Sequence, residues 1–434
     1  MALWAGTEPA RVQHGRLPAG DSSGGMWYPR DGGTVSEVAS SDSLGPDSLA
    51  PDSLAPDSWG PDSMGLESAR PESARVTVFP PGEPVAVSPV NPVVHSGRKL
   101  AVIVVNYAAH GLIEHNLAAA RLDHRAVRVV LVDNFSSSQE VQAVTALTGA
   151  MGWDLVLLGE NGGFGSGVNA GIEEAIRLGS DCFLLINPDA RIAADVVAAL
   201  HEECRNNPLA MVAPRILASD GKVFFDGAVV DVAKGRIRGL GAVHGAVVTG
   251  AGCTGVIDGR RRLIEPWLTG ACVAFGIDLY RRTGGMDDAF FLYWEDVDLS
   301  YRARRAGATL IVRHDLSIIH DEGGSQGARV GRAKSALYYY FNCRNRLLFA
   351  ANHLPKRQLA WWIARTPGAS WAILMQGGRR QLLDSPALLF AAVRGSCAGL
   401  AVAIRALADP SRSPATGAGG SSGTCVEHDR VRQA

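Results

Sequence analysis

The chain has 434 residues, 47% of them hydrophobic, and its 42 Lys and Arg nearly cancel its 43 Asp and Glu to leave a net charge of −1. That balance excludes binding to nucleic acid by bulk charge, which needs a clustered basic surface. The seven cysteines are odd in number and show neither paired spacing nor a zinc-type CxxC, so reduced thiols in a cytoplasmic protein are expected rather than a disulfide framework.

Residues 1–98 are dominated by Pro, Ser, Gly, Asp and Ala, with apolar side chains too scattered to form a buried face, and are expected to be a disordered tail. Within them Pro46-Asp47-Ser48-Leu49-Ala50 recurs as Pro51-Asp52-Ser53-Leu54-Ala55 and then in degraded form. The repeat is too short for a solenoid unit and too rich in proline for helix or sheet. The region also lacks the compact apolar stretch of a secretory signal, so export is not expected.

The folded core is expected to span residues 99–354. Residues 100–105 are a continuous apolar, β-branched run, which marks a strand buried on both faces. Residues 127–132, 155–158 and 182–186 repeat the pattern, with helix-like segments between them. This alternation predicts an α/β fold, a mostly parallel sheet with helices on both faces. In such sheets ligands sit beyond the carboxyl ends of the strands. Those ends carry Asn106-Tyr107, Asp133-Asn134, Asn161-Gly162-Gly163-Phe164-Gly165 and Asn187-Pro188-Asp189.

Farther along, residues 235–259 are Gly-rich and irregular, the pattern of a mobile loop. Residues 272–275 read as a strand, 297–305 as a helix stopped at Gly307, 309–312 and 317–319 as short strands, and 333–352 as a long helix. Residues 359–376 and 387–404 approach membrane-spanning length, yet Arg365 with Pro367 interrupts the first and Arg394 the second. An Arg near the centre of a span is costly, which favours interfacial helices over residues 355–408. Basic residues outnumber acidic ones from 356 to 432, so an anionic membrane surface is the expected partner, and 409–434 reads as a second disordered tail.

Several groups in this frame could carry chemistry. The glycine-rich turn at 162–167 is equally a phosphate cradle and a plain tight turn, because no Gly-Lys-Ser/Thr follows it. Asp133 at a strand end suits a nucleobase or ribose, or else caps a turn. Asp189 could hold a divalent cation against a diphosphate, although Asn-Pro-Asp alone is also a turn. Tyr293-Trp294-Glu295-Asp296-Val297-Asp298 is denser, with three acids directly behind an aromatic block that can raise a carboxylate pKa toward general-base use. Asp298 stands four residues before Arg302 and is assigned to a structural pair, Asp296 to chemistry. His320 ends an apolar run and is a candidate metal ligand in company with Asp189.

Taken in order, these segments resemble the inverting GT-A glycosyltransferases of family 2, in their rhamnosyltransferase-like branch. The likeness covers roughly residues 100–354 and includes Thr269-Gly270-Ala271, Gly284-Gly285-Met286-Asp287 and the stretch from Tyr339 to Asn345 before Arg346. The resemblance implies a nucleotide-binding half in which Asn106, Tyr107 and Asp133 hold the base and ribose, while Asn161, Gly163, Phe164, Asn169 and Asp189 line the donor site. Asp189 stands in the family's metal-binding DxD position, with Asn187 in place of the first acid, and His320 joins it on Mg2+ or Mn2+. Asp296 matches the catalytic base, Glu295 and Trp294 would shape the acceptor site, and Gly270-Ala271 would let the sugar approach.

The donor implied is dTDP-rhamnose or a UDP-sugar. The acceptor implied is a cell-envelope glycan or lipid-linked glycan, with the enzyme peripheral on the inner face of the membrane. A non-catalytic nucleotide-sugar-binding protein is the alternative. A nicotinamide oxidoreductase is disfavoured, because the first strand-to-helix turn lacks its glycines.

Overall fold

The computed structural model describes residues 75–79, 99–123, 126–249, 252–320, 334–379, 381, 385–410, 423–424 and 428–429. The proline-rich repeat and the segment from Asp321 to Ser325 lie outside the described residues.

The first half runs β1 (Arg75–Phe79), β2 (Leu100–Asn106), α1 (His110–Asn116), β3 (Val127–Asp133), α2 (Ser138–Met151), β4 (Asp154–Leu157), α3 (Phe164–Arg177) and β5 (Cys182–Ile186). Next come β6 (Ala190–Arg191), α4 (Ala194–Asn206), β7 (Ala210–Leu217), β8 (Val223–Phe225), β9 (Ala228–Asp231), β10 (Arg236–Gly239), β11 (His244–Thr249), β12 (Gly252–Ile257) and β13 (Arg260–Trp267). Then follow β14 (Cys272–Gly276), α5 (Ile277–Thr283), α6 (Glu295–Arg305), β15 (Thr309–His320), α7 (Ala336–His353), α8 (Lys356–Ala364), α9 (Thr366–Met375) and α10 (Pro386–Ala408). Two short strands, β16 (Gly423–Thr424) and β17 (His428–Asp429), close the chain.

The larger sheet is ordered β17-β1-β15-β7-β14-β5-β2-β3-β4. β4, β3, β2 and β5 are parallel, as the alternating pattern requires, and Asn106 lies level with Asp133. β14 enters antiparallel between β5 and β7, and β15 runs parallel to β7. The continuous apolar run of β2 reflects burial on both faces. Leu100, Val102 and Val104 pack with Ile113 of α1 and Val144 of α2, while Ala101, Ile103 and Val105 pack with Val168 and Ile172 of α3. Helix α3 approaches closely because its inner face carries glycine: a Cβ on Gly167 would fall 2.6 Å from Val105 Cγ1, and one on Gly171 2.6 Å from Ile103 Cγ2.

Two expectations need correction. Residues 235–259 are not a loop but contribute β10, β11 and β12 to a six-stranded antiparallel sheet ordered β10-β9-β13-β12-β11-β16. Two of the glycines that suggested irregularity, Gly235 and Gly259, sit at hairpin turns with positive φ, and Asp258 and Gly259 (50° and 68°) lie between the paired residues Ile257 and Arg260. That is the two-residue turn favoured by right-twisted strands. Second, β1 lies inside the segment expected to stay outside the fold, and pairs antiparallel with β15 from Val76 opposite Arg313 to Phe79 opposite Leu310. Arg394 falls within the apolar run of the last helix, as expected. α10 is continuous over 23 residues, and by length and composition alone it is long and apolar enough to cross a membrane. The break at Arg365 occurs as expected, between α8 and α9.

Candidate active site

At the carboxyl ends of β2 and β3, Asn106 and Asp133 are fully buried against each other. Asn106 Nδ2 donates to Asp133 Oδ1 at 2.7 Å and to Glu140 Oε1 at 3.0 Å, and its Oδ1 accepts from the Ala109 N–H at 3.0 Å. The Asn106 side chain is therefore spent on the fold. Asp133 Oδ2 has no hydrogen-bond partner, and burial raises the carboxyl above its ordinary range, against the Asn106 donation and with help from the Glu140 charge. A buried acceptor left open is costly unless a ligand donor meets it, so Asp133 keeps its candidacy. Tyr107 is exposed beside it.

The glycine turn is organised by Asn134, whose Oδ1 accepts from the Gly162 N–H at 3.1 Å and whose Nδ2 donates to Asn161 Oδ1 and to the Gly163 carbonyl, each at 3.0 Å. Asn161 Oδ1 also accepts from the Gly163 N–H at 3.0 Å, so that side chain closes its own turn. Asn169 likewise serves structure: it donates to the Met286 carbonyl at 2.8 Å and accepts from the Met286 N–H at 2.9 Å.

The Asn187-Pro188-Asp189 turn is pinned at two points. The Asn187 N–H donates to the Ala271 carbonyl at 3.0 Å, and the Pro188 carbonyl accepts from Asn116 Nδ2 at 3.0 Å. The next residue, Ala190, pairs with His320 at the end of β15. This brings Asp189 Oδ1 to 3.1 Å and Asn187 Nδ2 to 3.3 Å from His320 Nε2. Both Asp189 and His320 are buried, and neither Asp189 Oδ1 nor His320 Nδ1 has a hydrogen-bond partner. Asp189 Oδ1 and His320 Nε2, 3.1 Å apart, are spaced as adjacent ligands of one small divalent cation would be. Among the described residues no group of three or more His, Cys, Asp or Glu could hold a metal, so such an ion would draw its remaining ligands from elsewhere, as from a diphosphate.

Thr269-Gly270-Ala271 connects this end to the acidic cluster. While Ala271 holds Asn187, the Gly270 N–H donates to Asp296 Oδ2 at 3.1 Å, and Asp296 Oδ1 accepts from the Val297 N–H at 2.8 Å. A Cβ on Gly270 would lie 3.2 Å from Phe164 Cε1 and 3.6 Å from Asp296 Cβ, so the glycine makes room for these neighbours. Burial raises the Asp296 carboxyl to about 6 in spite of the Gly270 and Val297 bonds. Glu295 is more deeply buried, its Oε2 unpartnered, and burial first and the Asp296 charge second push it well above the carboxylate range. Burial and mutual repulsion disfavour ionising both carboxyls, and Asp296, which accepts from the Gly270 and Val297 N–H groups, is the better placed of the two to carry the charge. Asp298 behaves otherwise: against the effect of burial, His353 at 2.5 Å and Arg302 at 2.7 Å hold it below its usual range, the structural pairing expected of it.

The loop leading into Asp296 is strained. Phe291 has φ 63° and ψ −55°, and the Leu292 N–H donates to the Phe290 carbonyl at 2.8 Å, a γ-turn of the rare positive-φ form. Tyr293 (φ 65°) and Trp294 (φ 76°) are also left-handed. Each such non-glycine residue costs about 1–3 kcal/mol and persists only where its surroundings hold it. On one side, the Phe164 N–H donates to the Phe291 carbonyl at 2.8 Å, and Gly163 (φ 91°) sits so close that a Cβ would be 2.4 Å from that oxygen. On the other, Asn345 Nδ2 of α7 lies 2.7, 2.9 and 2.8 Å from the carbonyls of Phe290, Leu292 and Tyr293.

Trp294 does not shape an acceptor site. It is buried against Phe349 and Trp362, with its indole N–H donated to Asn342 at 3.2 Å. Asn134 and Asn345 received no role from the sequence. Asn345 stands between Arg344 and Arg346, so the sequence carried no signal that its amide would be buried.

No family model matches the chain. Curated proteins similar to the chain include two glycosyltransferases. One is a low-salt glycan biosynthesis hexosyltransferase of Haloferax volcanii, 25% identical over 258 residues, which are 57% of this chain and 74% of that protein. The other is an N-acetylglucosaminyl-diphospho-decaprenol L-rhamnosyltransferase of Mycobacterium tuberculosis, 27% identical over 282 residues, 61% of this chain and 87% of that protein. Among solved structures, a mannosyltransferase of Pyrobaculum calidifontis in complex with GDP-Man and Mn2+ aligns at 17% identity over 74% of this chain and 91% of that one, with a TM-score of 0.41. Both curated relatives are glycosyltransferases, in agreement with the resemblance read from the motifs.

Proposed function

We propose that the chain is an inverting glycosyltransferase that moves a sugar from a nucleotide-diphosphate donor to a hydroxyl of a cell-envelope glycan or glycolipid. The observation that carries this reading is the three-residue bridge Thr269-Gly270-Ala271, which ties the Asp189–His320 pair at one end to Asp296 at the other. Single displacement needs two such groups near one sugar carbon, one to receive a diphosphate and one to receive a proton.

In this reading Asp296 takes the proton of the acceptor hydroxyl as its oxygen bonds to the sugar C1. The C1–oxygen bond to the diphosphate breaks, and the nucleoside diphosphate leaves with the electron pair, inverting the anomeric centre. A divalent cation held by Asp189 and His320 would neutralise charge on that leaving group. Asp133, with its open Oδ2, would accept from the nucleoside, with Tyr107 beside it. Likeness to the mycobacterial relative makes dTDP-rhamnose the first donor to try and a polyprenyl-diphosphate-linked sugar the first acceptor. The exposed aromatic and basic side chains of α8 to α10 support a peripheral position on the inner face of the cell membrane.

The test is chromatographic. Purified chain is incubated with Mg2+ or Mn2+, a panel of dTDP- and UDP-sugars and a lipid-diphosphate-linked sugar, and transfer is followed for wild type and Asp296→Asn. Removal of a positioned base should lower the rate by about 10²–10⁴-fold with the donor still bound. Failure of every donor, or equal rates for the two proteins, would sink the reading.

A further inference from the structure

We infer that Asn345, oriented by Arg344, is a positioning residue that fixes the loop before Asp296 and so aims the carboxylate at the acceptor hydroxyl. The inference rests on the proposed role of Asp296 as base. Three carbonyls, of Phe290, Leu292 and Tyr293, converge on the single amide nitrogen of Asn345 at 2.7–2.9 Å, which the positive-φ turns at Phe291 and Tyr293 make possible.

The amide has one working orientation. Arg344 Nη1 donates to Asn345 Oδ1 at 2.6 Å and to the Ala289 carbonyl at 2.8 Å, which turns the Asn345 amino group toward the loop and adds a fourth held carbonyl. Asn345 is fully buried, so water could not replace it. Aspartate would set an oxygen against three carbonyl oxygens, and leucine would leave all three unmet.

The coupling to the base is short. Trp294 starts the first turn of α6, where its carbonyl accepts from the Asp298 N–H at 2.9 Å, so rotation of the Tyr293–Trp294 peptide would turn Asp296 away from the Gly270 N–H. Helix α7 is itself seated from behind by α10: a Cβ on Gly395 would lie 2.1 Å from the Tyr340 carbonyl oxygen, and one on Gly399 2.8 Å from that of Arg344. The loop is therefore held against a helix that has little room to shift.

The experiment uses the full chain as wild type, Asn345→Asp and Arg344→Gln, the second being at a partly exposed position that should fold even if the first does not. Steady-state kinetics, pH–rate profiles and hydrogen exchange of the peptide covering residues 290–296 are compared. A misaimed base is expected to cost on the order of 100-fold in kcat for Asn345→Asp and about tenfold for Arg344→Gln, with the donor KM within about threefold of wild type. Exchange at 290–296 should accelerate while β2 and β3 stay protected, and the acidic limb of the pH–rate profile should move to lower pH as water reaches Asp296. A folded variant with wild-type kcat and profile, or unchanged exchange at 290–296, overturns the inference. Exchange needs no turnover, so a chain that transfers no sugar would defeat the functional reading while the brace is still judged.

Discussion

Burial lifts the Asp296 carboxyl to about 6, while the amides of Gly270 and Val297 favour its ionised form. A base needs both, since too low a pKa accepts no proton and too high a pKa leaves no carboxylate at working pH. The arrangement has a stability cost whose sign can be worked out. The native value of about 6 lies above the ordinary 3.8, so between these pH values the native state keeps a proton that the unfolded chain has released. Stability then falls as pH rises through that window, and the loss is complete above it. Asp296→Asn is expected to raise the Tm at about pH 7.5 and to leave it nearly unchanged at about pH 4, in scanning calorimetry at both values. Wild-type transfer should in turn decline below about pH 6 as the base becomes protonated. A Tm that falls at the higher pH would show that Asp296 is held for the fold and not against it.

At the scale of elements, the glycine-rich turn between β4 and α3 lets the start of α3 touch the loop that carries the base. Gly163→Ala would need a side chain at φ 91° and a Cβ 2.4 Å from the Phe291 oxygen, so the turn, the loop or both must move. We expect a loss of about 1–3 kcal/mol in urea unfolding together with a fall in kcat. Gly162→Ala meets only the Ser166 side chain, which can rotate away, and should stay close to wild type in both measurements. Equal behaviour of the two variants would remove the brace. None of this was legible in sequence, because Gly163 and Phe291 are joined only by tertiary packing, as are Asn345 and the carbonyls it holds. The parallel strands were legible, since burial on both faces writes them as unbroken apolar runs. So were Asp133, Asp189, Asp296 and His320 as candidates, being chemical groups at strand and helix ends. The second sheet was hidden by its glycines, although Asp258-Gly259 was a readable hairpin signal. Trp294 was misplaced because an aromatic block reads equally as a pocket wall and as core, and the packing of α7 over it decides for core.

Across the whole molecule, the C-terminal helices present two unlike faces. Along α10, Ala391, Gly395, Gly399 and Ala403 recur at four-residue spacing and are buried, and the two glycines meet the backbone of α7. The outward side carries Leu389, Phe390, Val393 and Ile404, with Phe390 63% exposed, and α8 and α9 add Trp361 at 50% and Trp371 at 55%. Exposed basic residues are interleaved with them: Arg365 lies 4.4 Å over the Trp361 ring, and Arg357, Arg379, Arg394 and Arg405 are also exposed. Aromatic side chains beside guanidinium groups suit the headgroup layer of an anionic bilayer, where rings enter the interface and cations stay at its surface. The full chain is expected to sediment with vesicles containing anionic lipid and not with neutral ones. Trp371→Ala combined with Phe390→Ala should weaken that partition by on the order of tenfold or more, since each ring contributes apolar area. Salt then separates the two faces of the problem. Release at about 1 M salt, where charge attraction is screened, assigns α10 to the surface. Retention there would instead mean that α10, which by length and composition could cross a membrane, has exchanged its packing on α7 for the bilayer.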